Sequence, residues 1–142
     1  MRVTDITAEQ LPALAGLYAV LSHLPEDVAR MSGIFDRMAA NPDYHLLGAT
    51  LGEGRLVGTL LGVVCLDLVG PCRPFMVVEN VVVAARYRRH GVGRRLFQEI
   101  ERRARARDCF YLMLVSGPGR EDARAFYSAQ GYFESAGFKK RL

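Results

Sequence analysis

Glu79-Asn80-Val81-Val82-Val83-Ala84-Ala85-Arg86-Tyr87-Arg88-Arg89-His90-Gly91-Val92-Gly93-Arg94-Arg95-Leu96 decides how the rest of the chain is read. It runs as an apolar strand, a short polar turn, and a glycine-containing loop that opens an amphipathic helix. That order makes an anion site. Glycine lets the backbone approach a ligand closely, the first-turn N–H groups have no intrahelical partner, and the helix dipole favours negative charge. Arg88, Arg89, Arg94 and Arg95 flank the turn, so a polyanion such as a pyrophosphate is its natural guest.

Downstream, the helix is expected over about 93–107, with Val92, Leu96, Ile100 and Ala104 recurring every four residues and Phe97 beside them. A strand over 110–115 follows, parallel to the opening one by the crossover rule. After the loop Ser116-Gly117-Pro118-Gly119 come a short helix over 121–130, ended by Gly131, and a last hairpin over 132–142. Upstream, residues 2–6 alternate as a first strand, and Thr7 with Gln10 forms a weak capping box. Leu11, Leu14, Ala15, Leu17, Tyr18 and Leu21 stripe the first helix. A second helix starts after Pro25-Glu26-Asp27, buries Val28, Met31, Ile34, Phe35 and Met38, and stops at Asn41-Pro42. Strands over 44–51 and 56–68, joined by Gly52-Glu53-Gly54-Arg55, and a third over 75–83 lead into the opening stretch. Gly58 and Gly62 inside the middle strand mark a bulge or the close approach of another backbone. A meander flowing into strand–helix–strand is the order of an α+β, mixed-sheet domain.

At 142 residues the chain is read as a single domain, 1–142, able to bury a sizeable core. Its longest apolar stretch, Leu56 to Val69, is broken by Gly58, Thr59, Gly62 and Asp67, and Met1-Arg2-Val3-Thr4-Asp5 opens no signal-peptide core. The expectation is a cytoplasmic protein without membrane attachment. Cys65, Cys72 and Cys109 include no CxxC pair and no neighbouring histidines at ligand spacing, so neither a disulfide framework nor a metal is indicated. Cys65 and Cys109 read as buried small hydrophobes. The net charge of +4 is uneven: residues 1–85 hold five Lys/Arg against nine Asp/Glu, and 86–142 fourteen against six, giving −4 and +8. An anionic partner therefore docks on the C-terminal half. Arg102-Arg103-Ala104-Arg105-Ala106-Arg107 lacks interleaved aromatics and reads as a solvated basic helix face, not as a nucleic-acid site.

Two segments carry a family resemblance. Arg88-x-x-Gly91-x-Gly93, following Val81-Val82-Val83, resembles the acetyl-CoA signature of the GNAT N-acetyltransferases. Ala123-Arg124-Ala125-Phe126-Tyr127-Ser128-Ala129-Gln130-Gly131-Tyr132 is similar to that family's AxxFYxxxGF/Y segment. The two stand in the family's order and spacing and cover roughly the C-terminal half. The resemblance implies a twisted, mostly antiparallel mixed sheet of about six to seven strands, with about four flanking helices and parallel strands splayed at an acyl-CoA cleft. It implies an N-acetyltransferase that passes acetyl from acetyl-CoA to a small-molecule primary amine by direct attack in a ternary complex, without a metal. Homodimerisation is part of the same expectation. A protein N-acetyltransferase and a non-catalytic acyl-CoA-binding regulatory module are the alternatives.

Amide formation from a thioester needs a diphosphate site, a polariser of the carbonyl, a proton acceptor for the amine and a donor for the thiolate. Backbone N–H groups across Arg88, Arg89, His90, Gly91, Val92, Gly93 and Arg94 supply the first. By the resemblance, Val81, Val82 and Val83 hold the pantetheine arm, and the Val81 N–H points at the thioester oxygen. Removing one such oxyanion donor costs on the order of 3 kcal/mol. Glu79 interrupts an apolar run, so burial would raise its pKa and let it act as base, directly or through water; an ion-paired strand-edge carboxylate is the rival reading. Tyr127 matches the family's general acid, a proton source that a phenylalanine could not be, while Phe126 reads as a core aromatic. Many family members place an asparagine shortly before the FY pair. Here Arg120, Glu121 and Asp122 stand there, so that contact to the cofactor arm is lost or passes to Arg120. On the acceptor side, His23, Tyr44 and His45 could touch the amine, although each also reads plainly as a surface or strand-start residue. The −4 half mildly favours a cationic amine.

Overall fold

The computed structural model describes residues 1–117 and 121–142. Strand β1 (Arg2–Asp5) leads through a short 3-10 turn into helix α1 (Leu11–Ser22). The Thr7 N–H donates to Gln10 Oε1 at 3.0 Å, one arm of the expected capping box. Helix α2 (Val28–Ala39) starts where Asp27 Oδ1 accepts from the Arg30 N–H at 3.0 Å. Strands β2 (Tyr44–Leu51), β3 (Arg55–Cys65) and β4 (Phe75–Val83) follow, then helix α3 (Val92–Ala106), strand β5 (Leu112–Met113) and helix α4 (Glu121–Ser128).

The sheet runs β1-β2-β3-β4-β5, antiparallel until β5 joins β4 in parallel. Helices α1 and α2 connect β1 to β2, helix-free connections join β2 to β3 and β3 to β4, and α3 is the crossover that returns the chain for the parallel pair. Ile6, Leu11, Leu14, Leu17, Leu56 and Val82 form the core on the α1 side of the sheet. Leu96, Phe97 and Ile100 of α3 are fully buried on the other side, against Leu60, Met76 and Val78.

Gly58 and Gly62 explain how closely α3 lies on the sheet. A Cβ on Gly58 would stand 2.9 Å from Val92 Cγ1, and one on Gly62 2.5 Å from Ile100 Cδ1. Both expectations for these glycines are met at Gly58, where the register against β2 slips by one residue and Val82 O lies 3.2 Å from an added Cβ; at Gly62 the near atoms are side chains of Ile100 and Met76.

The mixed α+β architecture is as expected, with five strands in the sheet among the described residues instead of about six to seven. Residues 132–142 form no hairpin. Phe133 and Phe138 are 90% and 96% exposed, so a strand there would bury nothing on either face. The segment is held through Tyr132, whose hydroxyl donates to Glu101 Oε1 at 3.1 Å, and through an Arg124–Glu134 ion pair. Strand β3 also stops at Cys65, because Leu66 and Leu68 beyond it face solvent. Cys109 is buried and Cys65 half-buried, whereas Cys72 is exposed.

Candidate active site

Past Val83 the chain makes a 3-10 turn, Ala85–Tyr87, and a tight loop into α3. Gly91 is the N-cap of α3 at φ 77, a left-handed conformation open to glycine at little cost, and it brings no side-chain hydrogen bond to the first turn. The N–H groups of Val92, Gly93 and Arg94 therefore lack an intrahelical partner and present the helix's positive end. Val92 itself is buried against Gly58, so its contribution to a ligand is its backbone alone. Arg89, His90 and Arg94 are exposed around the turn. Arg88 is committed elsewhere: its Nε donates to Val83 O at 3.1 Å and ties the loop to the end of β4. His90 Nδ1 lies 2.7 Å from Arg88 O, and Arg95 reaches Met1 O at 3.4 Å.

The second motif packs directly on the first. A Cβ on Gly93 would stand 3.0 Å from Phe126 Cζ, so glycine at 93 lets α4 sit on the N-terminal turn of α3. Phe97 is the hub, in edge-to-face contact with Phe126, Tyr127 and Tyr132 at centroid distances of 5.7, 5.5 and 5.7 Å. Gly131, at φ 87, ends the helix by donating to Ser128 O at 3.0 Å. The half-buried Tyr127 is thereby fixed over the same α3-side core against which Val81 and Val83 pack.

Strand β4 carries the feature that sequence reasoning missed. Thr59 pairs with Val82 and Leu61 with Glu79, so two steps on β3 face three on β4, which makes a bulge at Asn80–Val81. Asn80 takes φ 53, a left-handed value that asparagine tolerates better than most residues. The bulge reverses side-chain parity. Met76 and Val78 point to the α3 side before it; Val81 and Val83 do so after it, while Val82 drops into the α1-side core. On its other edge β4 pairs with β5 only at Met76↔Leu112 and Val77↔Met113. Main-chain groups from the bulge onward have no strand partner on that edge among the described residues. An asparagine flanked by a carboxylate and valines was the available signal, but only the register reveals the extra residue.

The expected burial of Glu79 is not found. Glu79 is exposed, in direct register with Leu61, so both side chains leave the same face of the sheet. That face holds a pocket of about 430 Å³ between α1, α2 and the strands. Asn80 and Tyr18 line it with a largely apolar set from the two helices. Burial pushes the Tyr18 phenol up to about 12, with Thr59 and Asn80 beside it acting in the opposite direction. His23, Tyr44 and His45 do not line this pocket. His45 turns instead towards Arg103, and burial, aided by that guanidinium, lowers its pKa. Arg120 lies outside the described residues.

The basic run on α3 is internally neutralised. Arg102 and Arg103 bind Glu99, Arg103 also holds Asp5, Arg105 binds Glu101 and Arg107 binds Asp43. Among the described residues no helix is long and apolar enough to cross a membrane.

A glycine-capped helix N-terminus with free first-turn N–H groups, a bulged strand edge with no strand partner among the described residues, a half-buried tyrosine over the same core, and a pocket on the other face thus gather around β4. The comparisons accord with this geometry. The model of the acetyltransferase (GNAT) family matches residues 8–132. A candidate acetyltransferase from Agrobacterium tumefaciens is 27% identical, with a TM-score of 0.92 and full coverage of both chains. An acetyltransferase from Trypanosoma brucei is 22% identical at a TM-score of 0.84, covering 99% of this chain and 97% of its own. Glucosamine-6-phosphate N-acetyltransferase from Arabidopsis thaliana is 14% identical at 0.84, with coverage of 99% and 97%. At those lower identities the likeness is one of fold. No curated protein matches the chain.

Proposed function

The chain belongs to the acetyltransferase (GNAT) family, and from that premise we propose that it moves the acetyl group of acetyl-CoA to a primary amine, by direct attack within a ternary complex. The observation that carries the reading is the bulged edge of β4, open beyond Val77 and set between the anion-binding turn and the pocket.

First-turn N–H groups of α3, with Arg89 and Arg94 beside them, hold the diphosphate. Val81 and Val83 line the arm along the open edge, and the Val81 N–H stabilises the charge that develops on the thioester oxygen. As the amine nitrogen bonds to the carbonyl carbon and the C–S bond breaks, Glu79 accepts the amine proton, directly or through water. Its exposure favours relay to solvent. Tyr127 donates its hydroxyl proton to the departing thiolate and is reprotonated from solvent. The amide and free coenzyme A leave.

Incubation with acetyl-CoA and a panel of primary amines, followed by thiol release, tests this. Amine-dependent release is expected. Coenzyme A binding with no release for any amine would replace the reading by a non-catalytic acyl-CoA-binding module, and no binding at millimolar coenzyme A would end both.

A further inference from the structure

We infer that the acceptor is a primary amine carried on an apolar body, such as an alkyl or arylalkyl amine, whose body seats between α1 and α2. The inference rests on the acyl-transfer reading above. Its basis is an apolar stripe the fold covers only in part: Met31 and Phe35 touch the α1-side core without being sealed by it. A surface helix ordinarily buries its apolar face. Helix α2 buries none of its residues fully: Met31, Phe35 and Met38 are half-buried, and Ile34 is 46% exposed. All four line the pocket of about 430 Å³, a volume within the range of small-molecule sites. Leu11 and Leu14 of α1 and Leu46 and Leu61 of the sheet form the opposite wall.

Polar groups are few among the lining residues. Glu26, Asp27 and Arg30 stand where α2 begins, and two of them are engaged: Glu26 accepts from Ser22 Oγ at 2.7 Å, and Asp27 caps α2. The others are Tyr18 of α1 and Asn80 of β4, with the Glu79 carboxylate leaving the same sheet face as Leu61. An ammonium drawn to the Glu79 carboxylate, on the sheet face it shares with Leu61, leaves its hydrocarbon body to the apolar residues of α1 and α2. A sugar or polyamine would bury hydroxyls or charges against Met31, Ile34, Phe35 and Met38, which offer no polar group to receive them.

The experiment measures kcat/KM for n-alkylamines from propylamine to heptylamine, whose nitrogen basicity is nearly constant, beside phenethylamine, spermidine and glucosamine. Each added methylene should raise kcat/KM about fourfold, the transfer free energy of one buried CH₂. Ile34→Gln, at a half-exposed position that tolerates polarity, should flatten this slope below about twofold. Independently of turnover, phenethylamine should shift the Met31 and Met38 methyl resonances of the coenzyme A-loaded protein. A flat chain-length series, preference for spermidine or glucosamine, or unshifted methyls at millimolar phenethylamine would each overturn the inference. Acetylation of hydrophilic amines alone would do so while leaving the acetyltransferase reading intact. Methyl shifts without thiol release would sink that reading and keep the pocket.

Discussion

Replacing Asn80 tests whether the bulge in β4 is what aims the strand. Asn80 holds φ 53, where an ordinary L-residue pays about 1–2 kcal/mol, and a β-branched one falls at the upper end or beyond. The chain could avoid that strain by deleting the bulge, but strand parity is two. Every residue from Val81 onward would change face, and Val82, now 6% exposed in the α1-side core, would turn away from it. Exposing one buried valine forfeits roughly 1.5–3 kcal/mol, before Val81 and Val83 are counted. Strain is the smaller term, so the bulge should persist and the substitution should register as strain. Asn80→Val is expected to cost about 2 kcal/mol and Asn80→Ala about 1. Asn80→Gly should stay within about 0.5, relief of strain being offset by the backbone entropy of glycine. Urea midpoints followed by circular dichroism, with the m-value unchanged, give the comparison. If Asn80→Gly proved more destabilising than Asn80→Val, the left-handed bulge would not be the reason asparagine stands there.

Further expectations follow from the packing, the charges and the tyrosine. Gly62→Ala should cost about 1–3 kcal/mol through its 2.5 Å clash with Ile100 Cδ1, and Ile100→Val about 0.5–1.5. Because valine lacks that atom, the double variant should cost less than the sum by about 1 kcal/mol, and additive urea midpoints would contradict the close approach of α3. The Arg102 hydrogen bond, then Arg103, holds Glu99 down to about 2 against an ordinary 4.5, and Arg103 lowers Asp5. A carboxyl depressed in the folded state stabilises above its unfolded value, so this contribution is present at neutral pH and is lost as pH falls from 4.5 towards 2. Thermal melts across that window should show the loss, and Arg103→Met should make it shallower. Tyr127→Phe should lower kcat by about a hundredfold or more while moving the acetyl-CoA KM only a few-fold; an unchanged kcat would remove the tyrosine from the proton path.

The parts legible in the sequence are those where local chemistry and packing agree. Asp27 caps α2 where Pro25-Glu26-Asp27 foretold a start, and Gly131 ends α4 because a left-handed residue is needed there. Strands β2 and β4 match their apolar runs to the residue. Of the candidate site, the turn into α3 was legible from its glycines. Gly91 and Gly93 announced it, whereas no local pattern foretold that the Arg88 Nε would donate to Val83 O. Glu79 looked buried from its apolar neighbours, but it alternates with the buried Met76 and Val78 and so leaves the opposite face of the sheet, where it is exposed. The stripe on α2 was read as core, and Met31 and Phe35 do pack against the α1-side core, but periodicity does not record how completely a face is covered, and none of its residues is fully buried. The final hairpin failed because Phe133 and Phe138 have no partner surface to meet.

The parallel register of β4 and β5 spans just two residue pairs, so the second half of the site hangs on little main-chain pairing. Units held by few backbone bonds open at lower free energy than the global transition. Amide deuteration should therefore reach Leu112 and Met113 well before the interior of the β2–β4 meander. A ligand gripping both the α3 turn and the α4 tyrosine would bridge these two units, and the protection it confers on β5 would then report occupancy of the cleft without any turnover.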